Sequence, residues 1–327
     1  MLFSIVIPCY NCADTIHLPL ASLVGQIFRD FEVILVDDLS TESWVDKVEP
    51  FKQYMNIRIF QKDKNSGCGP TLQAGLDNAN GDYFIPIDSD DQFATAETLL
   101  HFARLIQQHQ YPDVVSTSFM EYDPISGRMT LMDQNNSAFV HGKAFNVGYC
   151  RENNIKFPDQ KWFEDGAFNF QAINLSSKVV RDQTVTYLWQ SNPQSITRSR
   201  DYNVEVMPYY INAYMLAFPR LREKDPRQAY CFMCGALYYG YYYWNAFRKR
   251  NVSPELLNGL IKLIGDALTE TGLIEAINED RFIYDQMAAN DVNSKRSIES
   301  QEGPFIPYLS LNDWLKINYN KSIQWLE

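Results

Sequence analysis

Tyr83-Phe-Ile-Pro-Ile87 runs directly into Asp88-Ser-Asp-Asp91, an apolar segment that ends on three carboxylates within four residues. A short apolar run bounded by turn residues, here Asn80-Gly81 on one side and the acidic cluster on the other, reads as a buried strand. On either side the same pattern recurs. Ser4-Ile-Val-Ile-Pro8, Phe31-Glu-Val-Ile-Leu-Val36, Ile57 to Gln61 and Val114-Val-Ser-Thr-Ser118 are further strands. Helix-like segments separate them. Thr15 to Val24 carries Ile16, Leu20, Leu23 and Val24 on one face, Ser40 or Thr41 caps a helix reaching about Tyr54, another follows the Asn65-Ser-Gly-Cys-Gly69 turn, and a fourth spans Ala96 to Gln108. Strands that alternate with helices need crossover connections. The predicted fold is therefore α/β, a doubly wound, mostly parallel sheet with helices on both faces.

In such a sheet ligands sit beyond the carboxyl ends of the strands. Polar groups follow four strands here: Pro8-Cys-Tyr-Asn11, Asp37-Asp38, Asn65 to Gly69, and Asp88 to Asp91. Three carboxylates so close repel one another unless a cation neutralises them. Mg²⁺ or Mn²⁺ takes one or two carboxylates plus diphosphate oxygens, so the cluster points to a metal and a nucleotide together. A solvated acidic turn capping the next helix is the other reading of that motif alone.

The chain of 327 residues corresponds to about two domains at roughly 150 residues each. Strand patterning runs through the first half of the chain, and the first domain is placed at residues 1–204. From 205 to 327 only helical patterns follow: Asn203 to Phe218, Tyr230 to Arg250, Pro254 to Thr271 with Ser253-Pro254-Glu255 as its start, and Leu273 to Ala289. With 29 basic and 40 acidic residues the net charge is −11, which disfavours duplex nucleic acid as a partner. No run is long enough to span a membrane, and Leu2 to Ile7 is too short for a signal-peptide core. The expected location is the cytoplasm, with a peripheral place at the inner face of the membrane as a variant of it. Two Cys-x-x-Cys pairs, Cys9/Cys12 and Cys231/Cys234, lie too far apart in the chain for a zinc ribbon, so ordinary reduced thiols are expected. The stripe Tyr238 to Phe247 fits a helix buried between neighbours or in a homo-oligomer contact made by the C-terminal helices, with acceptor binding as the alternative. Arg248, Lys249 and Arg250 suit its C-terminus.

Ser4 to Asn11, Val33 to Thr41 and Gly81 to Asp91, followed by His141-Gly-Lys143, Asn154 to Pro158, Phe163-Glu-Asp-Gly-Ala-Phe168 and Ser195-Ile-Thr197, resemble in order and spacing the family 2 glycosyltransferases with the GT-A fold. The resemblance covers about the first 200 residues. It implies a metal-dependent, inverting transfer of a sugar from a nucleotide diphosphate, a UDP-sugar above all, to an acceptor hydroxyl, in the assembly of surface glycans or polysaccharides. By the same resemblance Pro8, Tyr10, Asn11, Asp38, Asn65, Gly67, Asp88 and Ser89 line the nucleotide site, with Tyr10 stacking on the base and Asp38 accepting the uracil imide N–H. Asp90 is the implied metal ligand, with Asp88 and Asp91 beside it, for Mn²⁺ or Mg²⁺. Asp165 is the implied general base and Glu164 its supporting acceptor, while Lys143 and Arg198 are candidates to meet the leaving diphosphate. One departure stands out. Family members often carry Ala-Arg-Asn where this chain has Thr71-Leu-Gln73, so Leu72 replaces an arginine, which leaves an inactive nucleotide-sugar or glycan-binding protein as a rival. A nucleotidyltransferase is a second rival, but it would need a basic, glycine-rich loop near the N-terminus. His141 is placed to approach the site; His17, His101 and His109 fall on helices and carry no assigned role.

Overall fold

The computed structural model describes residues 1–191, 202–249, 252–289, 291 and 310–326. The chain divides into two compact units, Met1–Arg198 and Ser199–Glu327. The first unit holds nine strands: β1 (Phe3–Cys9), β2 (Phe31–Asp37), β3 (Ile57–Gln61), β4 (Tyr83–Pro86), β5 (Gln92–Phe93), β6 (Val114–Tyr122), β7 (Met129–Met132), β8 (Lys143–Asn146) and β9 (Val179–Gln190). They form one sheet in the order β3-β2-β1-β4-β8-β6-β9-β5, with β7 paired to β6. β3, β2, β1 and β4 are mutually parallel. β8 inserts antiparallel between β4 and β6. The long β6–β9 ladder is parallel again, so the sheet is mixed but mostly parallel.

Side chains alternate across each strand, and here both faces are apolar. Phe3, Ile5 and Ile7 of β1 join Val33 and Leu35 of β2 in one core, covered by Leu20 and Leu23 of α1 (His17–Val24) and by Leu99 and Phe102 of α3 (Thr98–Gln108). Val6, Ile34 and Val36 face the other core, covered by Leu72 and Leu76 of α2 (Cys68–Asp77), Val147 and Cys150 of α4 (Val147–Glu152), and Phe168 and Ala172 of α5 (Glu164–Leu175). Gly75 lets α2 lie flat on the sheet: a Cβ there would sit 2.2 Å from Val6 Cγ1. Gly75→Ala should therefore destabilise by about 1–3 kcal/mol through overpacking, read as a lower midpoint in thermal melts.

The helix expected from Ser40 or Thr41 to about Tyr54 does not form. Two short 3₁₀ turns, Val45–Lys47 and Glu49–Phe51, replace it. Pro50 has no N–H to continue a helix, and the segment before it is tied to the strand tips. Asn11 Oδ1 accepts the Thr41 and Glu42 N–H groups (2.9 and 3.2 Å), and Asp37 Oδ1 accepts Ser40 N–H and Oγ–H (3.0 and 2.6 Å).

The second unit is helical: α6 (Tyr202–Lys224), α7 (Pro226–Lys249), α8 (Pro254–Thr271), α9 (Leu273–Glu279), α10 (residues 281–289) and α11 (Leu311–Tyr319). Ser253 caps α8, its side chain accepting the Leu256 N–H. The single helix expected over Leu273 to Ala289 is broken at Asp280. That carboxylate accepts Arg227 Nε and Nη2 (2.6 and 2.7 Å) and the Phe282 N–H (2.9 Å), so it caps α10 instead of continuing α9. Tyr238, Tyr241 to Trp244 and Phe247 are buried, with Tyr241 and Trp244 against the Trp314 ring (5.5 and 5.9 Å). Packing within the unit therefore accounts for the aromatic stripe. No helix among the described residues is long and apolar enough to cross a membrane. None of the six cysteines is in a disulfide. Ser195 to Thr197, Arg198 and Arg250 lie outside the described residues.

Candidate active site

Because β1, β2, β3 and β4 run in the same direction, their carboxyl ends share one edge of the sheet. Tyr10 and Asn11 follow β1, Asp38 follows β2, and Asp88 to Asp91 follow β4 there. Tyr10 is 49% exposed. Pro8 lies in β1 opposite Val36, and Asn11 takes a left-handed conformation (φ 48°). Asp38 is buried, and its Oδ1 accepts Lys62 Nζ (2.7 Å) and the Ser66 N–H (2.9 Å), while Oδ2 accepts the Gly67 N–H (2.8 Å). A carboxylate oxygen has two acceptor positions, so Oδ2 retains one for a ligand. Gly67, at φ 87°, makes the turn by which the Asn65 to Gly69 loop wraps Asp38. Lys62 also reaches Ser66 Oγ and Thr71 Oγ1. The reading of the sequence passed it over, since nothing local marks one lysine after a strand as an ion-pair partner.

The acidic turn after β4 is organised by residues far along the chain. Tyr187 O–H donates to Asp91 Oδ2 (2.6 Å), the Gln190 N–H donates to Asp91 Oδ1 (2.7 Å), and the Asp88 N–H donates to the Tyr187 oxygen (3.2 Å). His141 Nε2 lies 3.1 Å from Asp88 Oδ2. Its ring is stacked between Tyr187 (4.6 Å) and Phe139 (5.6 Å) and touches the edge of Phe119, which fixes where the nitrogen points. Ligand atoms of Asp88, Asp91 and His141 all lie within 4.8 Å of one another. Two carboxylates and an imidazole form a donor set that fits Mn²⁺, and lone pairs remain free on each carboxylate for it. Asp90 stands beside this trio. Its carboxyl is pushed up to about 6 by burial and by Asp88, and burial, then the charges of Asp88 and Asp90, raise Asp91 well above the usual range. Ser89 lies half-buried within the turn.

Glu164 and Asp165 open α5, preceded by Phe163 in the left-handed region (φ 58°). The Phe163 ring lies over Gly166, where a Cβ would sit 2.1 Å from it. That pairing of an unfavourable backbone angle with a glycine fixes how the acid pair enters the site. Gly69 packs so closely on α5 that its Cβ would lie 3.0 Å from Glu164 Cβ. Cys68, at the start of α2, hydrogen-bonds Glu164 through its thiol; burial of that thiol, then the charges of Glu164, Asp88 and Asp165, push it up. Burial raises Glu164 to about 7, with Asp88 adding to the rise. Asp165 is raised to about 8 by burial, then by Glu164 and Asp88, against the opposing pull of His141 and the Val140 N–H, which lies 3.4 Å from Asp165 Oδ2. Asp88 thus acts on both acids of α5 as well as on Asp90 and Asp91. A chain of contacts runs from Asp38 through Gly67 and Cys68 to Glu164, and the field of Asp88 reaches its far end.

Two residues singled out from the sequence have settled positions in the interior. Leu72 is wholly buried in the core shared by α2 and the sheet, so an apolar side chain suits its place. Lys143 is 1% exposed, and its amine donates to Phe139 O (2.7 Å) and His141 O (3.4 Å); burial lowers it to about 7.

The family model described as Glycosyl transferase family 2 matches residues 4–171. The poly(ribitol-phosphate) beta-N-acetylglucosaminyltransferase TarS of Staphylococcus aureus is 25% identical over an alignment that takes in 100% of this chain and 60% of that protein. The poly(ribitol-phosphate) beta-glucosyltransferase of Bacillus spizizenii is 32% identical over 55% of this chain and 30% of its own length. This chain therefore spans about 60% or less of these curated relatives. Among solved structures, residues 1–349 of S. aureus TarS in complex with UDP-GlcNAc superpose with a TM-score of 0.68, covering 93% of each chain at 22% identity, a likeness of fold.

Proposed function

The chain belongs to glycosyl transferase family 2, and from that membership we propose that it moves a sugar from a UDP-linked donor to an acceptor hydroxyl with inversion at the anomeric carbon. The observation that carries this reading is the meeting, on one sheet edge, of the Asp88, Asp91 and His141 cluster with the Glu164-Asp165 pair. Asp38 offers its remaining Oδ2 acceptor to the imide N–H of uracil, and Tyr10 its exposed ring to the base. Asn11 and Pro8 shape the floor of that pocket, and Asn65 and Gly67 bring backbone close to it. Asp88, Ser89 and Asp90 face the ribose and diphosphate.

Asp165 takes the proton of the acceptor hydroxyl as its oxygen attacks the anomeric carbon from the side opposite the departing diphosphate. Glu164 shares the field of that carboxyl, and its charge adds to the basicity with which Asp165 accepts the proton. Asp88, Asp91 and His141, with Asp90 alongside, would hold Mn²⁺ or Mg²⁺, which neutralises charge on the leaving diphosphate. GlcNAc is the proposed sugar and a polyol-phosphate or related surface polymer the proposed acceptor, by analogy with the relatives named above. The second unit, Ser199–Glu327, is proposed to bind the acceptor or a second copy. Leu72 is accounted for by packing, so it gives no support to a protein that binds without transferring.

A screen of nucleotide sugars for slow, Mn²⁺-dependent hydrolysis without acceptor tests the reading. UDP-GlcNAc is expected to be cleaved faster than GDP-linked and dTDP-linked sugars. Equal, metal-independent turnover of all of them would remove the assignment.

A further inference from the structure

Lys143 is a buried lysine with no carboxylate within hydrogen-bonding distance among the described contacts, and its position calls for a reason. It follows the His141-Gly142 turn at the start of β8, and its amine donates to the two carbonyls on either side of Val140, those of Phe139 (2.7 Å) and His141 (3.4 Å). Asn169, wholly buried and one turn along α5 from Asp165, donates its Nδ2–H to the same Phe139 carbonyl (2.5 Å). One backbone oxygen thus collects donors from the sheet and from the helix that carries the acid pair. Gly142 closes the segment at φ 65°, with its carbonyl held by Thr117 N–H (2.8 Å) and Oγ1–H (2.7 Å). What the clamped segment presents belongs to both halves of the site. The Val140 N–H faces Asp165 Oδ2, and His141 Nε2 faces Asp88 Oδ2.

We propose that Lys143, with Asn169, is a positioning residue: it clamps the 139–141 backbone so that Asp165 and His141 keep a fixed separation, and it makes no contact with the leaving diphosphate. An amine that is 1% exposed and committed to two carbonyls has no route to a solvent-filled donor site. The proposal rests on the transfer reading above, so its test includes a measurement that needs no turnover. Lys143→Met keeps the length and apolar volume of the side chain and removes its donors. Asn169→Leu does the same from the helix side and also removes the unpartnered Oδ1.

In either variant, hydrogen exchange of the 139–143 segment should quicken by about tenfold or more while the β1–β2 ladder keeps its protection. The transfer rate per UDP-binding site should fall by about 10 to 10², the scale of a small misplacement, with donor KM within about threefold. The double variant should lose little more than either single one, because both release one carbonyl. Unchanged exchange in the folded variants overturns the proposal, as does a UDP affinity about tenfold weaker with uridine affinity unchanged, the mark of a diphosphate contact. If Lys143→Met does not fold, Asn169→Leu carries the same measurements. A parent protein that transfers no sugar would count against the function proposed above, and the exchange result would still decide the clamp.

Discussion

Asp165→Asn is expected to cut sugar transfer by at least about 10²-fold while leaving UDP affinity nearly unchanged, the signature of a lost general base. The amide keeps the shape of the carboxyl and can still accept the Val140 N–H, so the 139–141 segment need not move. What disappears is the group raised to about 8 by burial and by Glu164 and Asp88. The same variant carries a stability prediction. Folding lifts the Asp165 pKa from 3.8 to about 8, so the folded state binds that proton more tightly than the unfolded chain does. Stability from this group is therefore greatest below about pH 4 and falls as pH climbs toward about 8. Asparagine has no proton to lose. The variant should melt above the parent at pH 8, and the gap should close as the pH approaches about 4. A normal transfer rate in Asp165→Asn would send the search for the base elsewhere, and a melting gap that does not vary with pH would show that Asp165 is not shielded as described.

Asp88→Asn and His141→Ala should each weaken Mn²⁺-dependent UDP binding by about 10²-fold or more, the scale of losing a metal ligand or its close support. Asp88 has the widest influence of any residue in the site. It pairs with His141 and raises Asp90, Asp91, Glu164 and Asp165 together. A single cation among Asp88, Asp91 and His141 would relieve that crowding. Calorimetry with UDP, with and without Mn²⁺, measures it. Asp90→Ala belongs in the same series: a loss equal to that of Asp88→Asn puts Asp90 among the ligands, and a small loss leaves it as a neighbour. UDP binding that ignores both chelator and these substitutions would remove the metal from the function.

Much of the first unit could be read along the chain because its strands are apolar on both faces. Ile5 and Ile7 serve one core while Val6 serves the other, so runs such as Ser4 to Pro8 stand out without help from any partner. The acidic turn was visible because three carboxylates within four residues repel one another unless neutralised, whereas the Glu164-Asp165 pair was visible only through the family resemblance. The segment from Thr41 to Tyr54 was misread because what stops the helix, besides Pro50, is a set of backbone N–H groups donated to the Asn11 and Asp37 side chains, which no helical periodicity records. Lys62 and the role of Cys68 were missed for want of a local signal. The long strand β9, which supplies Tyr187 and the Gln190 N–H to Asp91, alternates too weakly to be noticed.

The sequence alone determined the alternation of strand and helix, the common edge on which the strands end, and the carboxylates waiting there, since these depend on residue type and short-range spacing. Only the tertiary structure decided which of those carboxylates share a charge environment and that the buried Lys143 amine donates to the Phe139 and His141 carbonyls beside them. His141 comes to Asp88 from 53 residues away and Tyr187 to Asp91 from 96. Pairings of that span arise when β8 inserts antiparallel beside β4 and β9 aligns with β6, and the desolvation that moves the acids of α5 toward neutrality exists only once those strands have closed around them.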